Sequence, residues 1–377
     1  MTLRRFQIIL MLIMFLCIGT NAQEKPKAFR DSIDNAFDVS HYLYNLRGFL
    51  PIISPITEPA VGYGATLAGA IFIPKKDSDP KKFTMPDVIV AAGGYTENKT
   101  WFVGGGYLGF WKDDHIRYRG FMGYADVKLK YYWTSKLLNK DLSADFRLKT
   151  YFLLQQAIFR IRDSKFLFGG SYLLMKTNII FFEDIEIPGI KPRDKDLVNS
   201  GLSAIGEFDN LDNLFSPSRG HKINLTYTQY LKAIGSDRDF GRLTLYMLYY
   251  QPVYGKKWIS GFRIESNLST GDPPFYMKPF IQLRGIPAMR YQGEFTALIE
   301  TEQEVALYRR WSIVGYGGIG WASRNIDDFD DGQSAWNVGT GFRYLIARVF
   351  GLKMGLDVAK GPEDWAVYVV FGSSWNR

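Results

Sequence analysis

Residues 295–308 alternate between apolar and acidic side chains with a period of two. Glu300, Glu302 and Glu304 occupy one set of positions, and the intervening positions are mostly apolar, as at Ile299. Successive side chains of a β-strand point to opposite faces, so the three carboxylates share one face. A strand of this length that is apolar on one face and charged on the other is typical of the wall of a transmembrane β-barrel.

The same alternation recurs along the chain and predicts about fifteen strands. Bacterial barrels close with an even number, so we expect an all-β fold, a transmembrane antiparallel β-barrel of about sixteen strands. The alternative is a soluble β-sandwich, which would bury its apolar faces as a core. No segment of the predicted mature chain reaches roughly 18 consecutive apolar residues, so no transmembrane helix is predicted. Besides 295–308, the clear segments are 242–250, 258–268, 352–358 and 365–371, and the weaker ones are 60–73, 87–95, 101–111, 116–133, 146–161, 166–182, 198–208, 223–230, 313–321 and 335–344.

Residues 1–22 have the organisation of a secretory signal peptide. Arg4 and Arg5 precede an uncharged apolar run, and Ala22 offers a small residue before the predicted cleavage site. A membrane-anchor helix is the alternative, but the run is shorter than the roughly 20 residues that a span requires. The only cysteine, Cys17, lies in this run, so the predicted mature chain contains no disulfide.

The remaining chain divides into an N-terminal segment at residues 23–59 and the barrel at residues 60–377. Phe29, Ile33 and Phe37 recur at every fourth position among charged side chains, which predicts one short amphipathic helix. This segment could pack in the lumen, lie at the membrane surface, contact a partner or be a plain lead-in to the first strand, which is the commonest outcome, and the sequence leaves these alternatives open.

One connection between predicted strands is rich in turn-forming residues. Aspartate and asparagine side chains accept backbone N–H bonds in turns, proline fixes φ, and glycine permits a positive φ. On these grounds alone the segment is a well-formed turn. The residues concerned are Asp209, Asp212, Asn213, Pro217 and Gly220.

A second connection, which leads into the acidic strand, contains Arg284 and Gly285. A planar guanidinium pairs best with carboxylates where water is scarce. We therefore expect Arg284 to fold back onto Glu300 or Glu302 and to hold the loop inside the barrel. The alternative is an arginine in a solvated loop.

Together these motifs resemble the barrel of the outer-membrane assembly and two-partner-secretion superfamily, known from BamA and TamA and also called bacterial surface antigens. The turn is similar to the family's D-x-R-D-N-x-F-x-P-x-x-G motif, with Leu211 where arginine is usual. Leu283-Arg284-Gly285 is similar to the R-G-[FY] motif of the sixth extracellular loop, with Ile286 in place of the aromatic residue.

The resemblance also assigns individual acidic residues. Glu302 falls at the family's inward-facing glutamate, and Asp357 matches an acidic position near the C-terminus. Gly318 stands where an aspartate is usual, which removes one expected partner of the loop arginine. Family members with known roles carry N-terminal periplasmic POTRA modules, and residues 23–59 are too few to form one.

The resemblance implies an integral barrel of the bacterial outer membrane that acts in protein or lipid assembly or translocation. Its expected partners are outer-membrane lipid, lipopolysaccharide, and separate periplasmic subunits or client proteins. In the family, the seam between the first and last strands opens. The alternative function is a passive, cation-preferring outer-membrane channel, in which Glu300, Glu302 and Glu304 would favour cations.

The sequence predicts no enzyme, no cofactor and no metal site. It lacks G-x-S-x-G, Walker and H-E-x-x-H motifs, and its three histidines are scattered. A lipid hydrolase using Ser203 or His221 is a third hypothesis, but their spacing does not indicate a nucleophile–base pair. Nucleic acid is not an expected partner of an exported protein, despite a net charge of +8.

Overall fold

The computed structural model describes residues 29–44, 48–73, 75, 86–135, 140–181, 193–325 and 328–375. Sixteen antiparallel strands form one sheet in which each strand pairs with the next along the chain. The predicted signal peptide lies outside the described residues. The strands are β1 (Gly48–Ile56), β2 (Gly64–Ile73), β3 (Asp87–Thr96), β4 (Trp101–Trp111), β5 (Ile116–Ser135), β6 (Lys140–Arg160), β7 (Phe166–Phe181), β8 (Arg193–Asp209), β9 (Gly220–Tyr230), β10 (Phe240–Tyr254), β11 (Trp258–Gly271), β12 (Phe295–Tyr308), β13 (Trp311–Asn325), β14 (Asp328–Ala347), β15 (Leu352–Lys360) and β16 (Trp365–Phe371).

The sheet curls into a nearly closed barrel in which β1 approaches β16. Thr57, just after β1, donates a hydroxyl hydrogen bond to the carbonyl of Val367 in β16. Within the described residues no hydrogen-bonded ladder joins these two strands. The all-β antiparallel class and the strand number predicted from the sequence are therefore confirmed.

β1 begins and β16 ends at the same end of the barrel, here called the terminal end. The connections that follow even-numbered strands also lie there, and those that follow odd-numbered strands lie at the opposite loop end. Several terminal-end turns are short, such as the two residues between β12 and β13. The loop end carries the long connection from residue 272 to 294, here called the lumen loop.

The outer surface of the wall is apolar and the inner surface is polar. Ile299 of β12 and Val338 of β14, on outward positions, are 45% and 53% exposed, whereas Glu300 and Asp357 on inward positions are 1% and 0% exposed. A soluble sandwich would bury the apolar faces against each other, so this arrangement excludes it. Across the described residues, no helix combines the length and apolarity needed to cross a membrane.

The lumen loop folds into the barrel and crosses the lumen. Every residue from 273 to 294 is buried or half-buried. Ile281 and Leu283 pack on one wall against Leu298 of β12, in a cluster that includes residues of β13 and β14. Met289 packs on another wall with Phe146 of β6, in a cluster that includes residues of β7 and β8. The loop therefore bridges the lumen from wall to wall.

The barrel begins earlier than the predicted boundary at residue 60, which was wrong. β1 lies inside the segment assigned to residues 23–59, and its ladder with β2 runs in register through Pro51 and Pro55. Prolines argue against a strand because they cannot donate a ladder hydrogen bond. An edge strand is unpaired on one side, and a proline there removes no ladder hydrogen bond. β1 is an edge strand.

A short helix in the N-terminal segment is confirmed at Ser40–Tyr44, but its predicted position over Phe29, Ile33 and Phe37 is wrong. Arg30 and Phe37 form an antiparallel bridge around a tight turn, in which the Asp31 carboxylate accepts the Ile33 N–H at 2.8 Å. Aspartate side chains that accept nearby backbone N–H groups compete with helix formation. Among the described residues the only α-helix is α1, at Ser40–Tyr44.

Candidate functional site

Arg284 of the lumen loop contacts three carboxylates of the barrel wall. Its Nη1 lies 2.8 Å from Glu302 Oε2 and 2.8 Å from Asp357 Oδ2, and its Nη2 lies 3.1 Å from Glu300 Oε1. Alternation along β12 turns Glu300 and Glu302 inward, and β15 supplies Asp357. These four residues are here called the Arg284 cluster. Guanidinium hydrogen bonds to carboxylates are among the strongest in proteins, so the contact fixes the loop to the wall.

Glu300 is held by residues of three further elements. Arg263 of β11, its cross-strand neighbour, lies 3.0 Å from Glu300 Oε2. Asn337 of β14 donates to Oε1 at 3.0 Å. The indole N–H of Trp375, near the C-terminus, donates to Oε2 at 2.6 Å. A carboxylate this deeply buried is stable only with such a complement of donors.

Asp357 and Glu304 each have a cationic partner on the wall as well. Arg343 of β14 pairs with Asp357, with Nη2 and Oδ2 at 3.1 Å. Lys353 Nζ lies 2.7 Å from a Glu304 carboxylate oxygen. The acidic side chains of β12 are therefore neutralised by paired cations, and they do not form an unpaired acidic stripe along the lumen.

Tyr316 of β13 supplies the aromatic face beneath Arg284. The guanidinium carbon lies 3.4 Å from the centre of the Tyr316 ring, a close cation–π contact. Gly318, which stands where an aspartate was expected, lies opposite Glu300. A Cβ at this glycine would approach the Ile299 carbonyl to 2.8 Å and Glu300 Cβ to 3.0 Å. In this chain β13 therefore contributes an aromatic ring to the arginine, and no carboxylate.

Gly285 connects the Arg284 cluster to the last strand. Its φ is +84°, and a Cβ there would lie 3.0 Å from the backbone nitrogen of Gly361. Its N–H donates to the hydroxyl of Tyr368 in β16 at 2.9 Å. The left-handed backbone and the close approach both require glycine at this position.

The residues after β16 turn into the lumen from the terminal end. Gly372 has a φ of +74° and starts this turn. Trp375 is 2% exposed and packs in a cluster with Tyr246 and Tyr250 of β10. Ser374 Oγ donates to Glu302 Oε2 at 3.0 Å. The C-terminal tail therefore contacts the Arg284 cluster from the side opposite to the lumen loop.

The turn between β8 and β9 lies at the terminal end. Asp212 accepts the backbone N–H groups of Ser218 at 2.8 Å and Arg219 at 3.1 Å. Asn213 Oδ1 accepts the Phe215 N–H at 2.8 Å. Burial raises the pKa of Asp212, but hydrogen bonds from the hydroxyl and backbone of Ser218 outweigh it and the net pKa is lowered. These bonds make a rigid turn.

Other predicted residues of this turn have separate roles. Asp209 lies 3.2 Å from Arg117 Nη1 of β5. Pro217 is buried, and Gly220 has a φ of +104°. The turn contacts the C-terminal tail, where Phe215 O accepts the Ser373 N–H at 2.6 Å, and it contacts β15, where the Lys353 N–H donates to Ser216 Oγ at 3.3 Å.

The residues considered for hydrolysis do not form a site. Ser203 Oγ hydrogen-bonds Thr228 Oγ1 at 2.9 Å, and the His221 ring stacks on Phe208. Ser203 pairs with Thr228, which lies about seven residues along β9 from His221, or roughly 23 Å at the rise of a strand. In the described part of the chain, no group of three or more His, Cys, Asp or Glu side chains could hold a metal ion.

Solved structures with this architecture include two kinds of outer-membrane barrel. BamA from Haemophilus ducreyi, solved without POTRA domains 1–3, superposes with a TM-score of 0.58 at 12% identity over 86% of this chain and 70% of that chain. CdiB from Escherichia coli gives a TM-score of 0.56 at 11% identity over 85% and 61% of the two chains. CdiB from Acinetobacter baumannii gives 0.51 at 10% identity over 86% and 59%.

The chain has the barrel fold of BamA and CdiB. It spans less than two thirds of the length of either CdiB, at 61% and 59%. No protein-family sequence model and no curated protein sequence matches it.

Sequence reasoning named four residues of the lumen contact in this BamA-type barrel and missed several others. Arg284, Glu300, Glu302 and Asp357 come together, whereas the partners Arg263, Asn337, Arg343, Tyr316 and Trp375 were not assigned. An inward position in the strand alternation could have pointed to Arg263, which lies on the same face as Glu265. Trp375 gave no such signal because it follows the last strand.

Proposed function

We propose that this chain is an integral outer-membrane barrel that acts in the assembly or translocation of protein or lipid there, together with separate periplasmic subunits. The proposal assigns it no catalytic step. We place the terminal end in the periplasm, because short turns of such barrels are periplasmic and the longer loops extracellular. The outward apolar face would then contact outer-membrane lipid and lipopolysaccharide.

The observation that carries the proposal is the Arg284 contact across the lumen. A simple pore needs an open passage, whereas here a loop crosses the lumen and is held by three carboxylates. The same cluster touches β16 through Gly285 and Tyr368. A contact that joins the loop across the lumen to an edge strand supports a role at the seam between β1 and β16.

The seam itself supports the same role. β1 carries two prolines, and the described residues form no ladder between it and β16. Unpaired strand edges can pair with an added strand from another chain. The proposed clients are therefore polypeptides that present a β-strand, or lipids that pass through the opened seam.

Purification of the tagged protein from its native membrane tests the proposal. Under gentle detergent we expect one or more periplasmic proteins to co-purify in fixed ratio. An Arg284→Ala variant that folds should change the amount recovered, whereas Arg238→Ala, which removes a pair with the exposed Asp272, should not. Recovery of the barrel alone from both proteins would contradict the proposal.

Conductance in planar bilayers separates this role from the passive channel. We expect the natural protein to be nearly closed and Arg284→Ala to conduct more, with Arg238→Ala unchanged. A wide, steady, cation-preferring pore in the natural protein would favour the channel. The paired state of Glu300, Glu302 and Glu304 argues against it.

A further inference from the structure

Four apolar side chains of the segment before β1 face away from the barrel. Phe29, Ile33, Phe37 and Tyr42 are 47%, 75%, 52% and 36% exposed, and they are here called the N-terminal apolar patch. The Phe29 ring stacks on Phe37 with centroids 6.2 Å apart and lies 5.5 Å from Tyr42. A contiguous exposed apolar surface of this kind marks a site of interaction.

The opposite side of the same segment is fixed to the barrel by ion pairs. Arg310, in the turn between β12 and β13, lies 2.5 Å from Asp31 and from Asp38 and 2.7 Å from Asp34. Arg348 after β14 pairs with Asp31 as well. These contacts set the orientation of the segment, so the apolar patch is presented outward and is not free to turn inward.

The patch continues the outward aromatic surface of the barrel wall. The Phe37 carbonyl accepts the Tyr344 hydroxyl at 2.9 Å. The Tyr344 ring lies 4.8 Å from that of Trp311, which is 45% exposed on the outer face. Tyr308, on the other side of the same turn, is 65% exposed. Tyrosine and tryptophan belts lie at the level of lipid headgroups in membrane barrels.

The charges around the patch suit an anionic lipid surface. The three aspartates behind it are opposed by Arg310 and Arg348, while Arg30 and Arg309 are exposed. Basic side chains beside aromatic and aliphatic ones are the combination that binds phospholipid headgroups at the interface.

We propose that the N-terminal apolar patch inserts into the headgroup–acyl boundary of the lipid leaflet at the terminal end of the barrel. The inference rests on the membrane location given under the proposed function. Lipid is favoured over a protein partner because the patch is continuous with the lipid-facing belt at Tyr344 and Trp311. The segment then anchors the start of β1, the edge strand at the seam, to the membrane plane.

Site-specific fluorescence tests the insertion. In the predicted mature chain, which contains no cysteine, Ile33→Cys carries an NBD label in vesicles of phosphatidylethanolamine and phosphatidylglycerol. We expect a blue-shifted emission, protection from aqueous iodide and quenching by doxyl-labelled phospholipid. The matched control is Asp163→Cys in the β6–β7 turn at the same end, whose side chain is fully exposed. Its label should remain accessible to iodide.

A label at Ile299→Cys, on the outward face of β12, reports the barrel itself. If this label is quenched by lipid while the Ile33 label is as accessible to iodide as the Asp163 label, only the insertion is overturned. If the Ile299 label is not quenched by lipid, the membrane location falls too. An Ile33 label that is shielded only in native membranes and is never quenched by lipid would assign the patch to a protein partner and overturn the lipid assignment.

Discussion

Two arginines of this barrel each contact three carboxylates, but the two clusters differ in whether the arginine or the carboxylates belong to the barrel wall. Arg284 comes from the lumen loop, and its carboxylates lie on the strands β12 and β15. Arg310 lies in a two-residue turn between strands, and its carboxylates come from the segment before β1. In the lumen the carboxylates belong to the wall and the arginine to a loop. In the second cluster the arginine belongs to a turn of the wall and the carboxylates to the N-terminal segment.

The clusters also differ in their access to water. The Arg284 partners Glu300, Glu302 and Asp357 have side chains that are 1%, 14% and 0% exposed. In the second cluster Arg310, Asp31 and Asp38 are likewise only 3%, 3% and 4% exposed, but Asp34 is 33% and Arg348 is 40% exposed. Ion pairs near water are weak because solvent screens them, whereas breaking a buried pair leaves a charge without compensation. Water can screen the second cluster at Asp34 and Arg348, so we expect its contact to be weaker than the contact in the lumen.

The largest expected effect is that of Arg284→Ala. It leaves three carboxylates without a shared counter-ion, so we expect the free energy of unfolding to fall by about 3–5 kcal/mol. Urea unfolding in vesicles, followed by the mobility of unboiled samples, measures it. Arg284→Lys keeps the charge but loses the planar contact with several carboxylates. Its free energy of unfolding should therefore lie between those of the natural protein and Arg284→Ala. If Arg284→Ala were as stable as the natural protein, the lumen cluster would contribute no more to the stability of the barrel than the Arg310 cluster is expected to contribute.

Tyr316 offers a finer test of the lumen cluster. Tyr316→Leu removes the ring beneath the Arg284 guanidinium and should cost about 2 kcal/mol in unfolding free energy. Tyr316→Phe keeps the ring, and because the hydroxyl has no hydrogen-bond partner among the described residues, this control should be near neutral. Equal losses in the two variants would show that the ring face contributes nothing.

The strand pattern was readable in sequence because it depends on the immediate neighbours in the chain. Alternation located fifteen of the sixteen strands, and it placed Glu300 and Glu302 on the inner face. β1 was missed because Pro51 and Pro55 are unfavourable in a paired strand and tolerated only at an edge. The even number required for closure pointed to a missing strand, but not to its place.

The clusters were only partly readable because their partners are distant in sequence. The Arg284 motif was visible, but the contacts of Asn337 and Arg343 depend on strand register, which a periodic pattern leaves undefined. The Arg310 cluster had no motif. Asp31, Asp34 and Asp38 have the spacing of a polar helix face. Each carboxylate instead accepts the backbone N–H of the residue two positions later, which favours turns over a helix.

At the terminal end, Arg310→Gln should release the N-terminal segment from the barrel and leave the barrel folded. A nitroxide at Ser32→Cys, an exposed position in the turn, should become several-fold more mobile, because Asp31, Asp34 and Asp38 lose their common partner. Unfolding of the barrel should change far less than in Arg284→Ala. A matched control is Arg309→Gln, since Arg309 is exposed and only stacks on Tyr308. Equal mobility in both variants would contradict the assignment of Arg310 as the anchor.

The smallest effect should be the response of the same contact to acid. The Arg348 hydrogen bond and a backbone hydrogen bond from Ile33 lower the pKa of Asp31 from 3.8 to about 2. A lowered pKa in the docked state stabilises docking above pH 3.8, and this contribution is lost as the pH falls towards about 2. The Ser32 nitroxide should therefore become mobile in that window, reversibly and in detergent. Because Arg348 is the main cause of the shift, Arg348→Gln should move the transition to higher pH. An unchanged midpoint in Arg348→Gln would mean that Arg348 does not lower the pKa of Asp31, and the lowering would then belong to Arg310, the other cation that contacts this carboxylate.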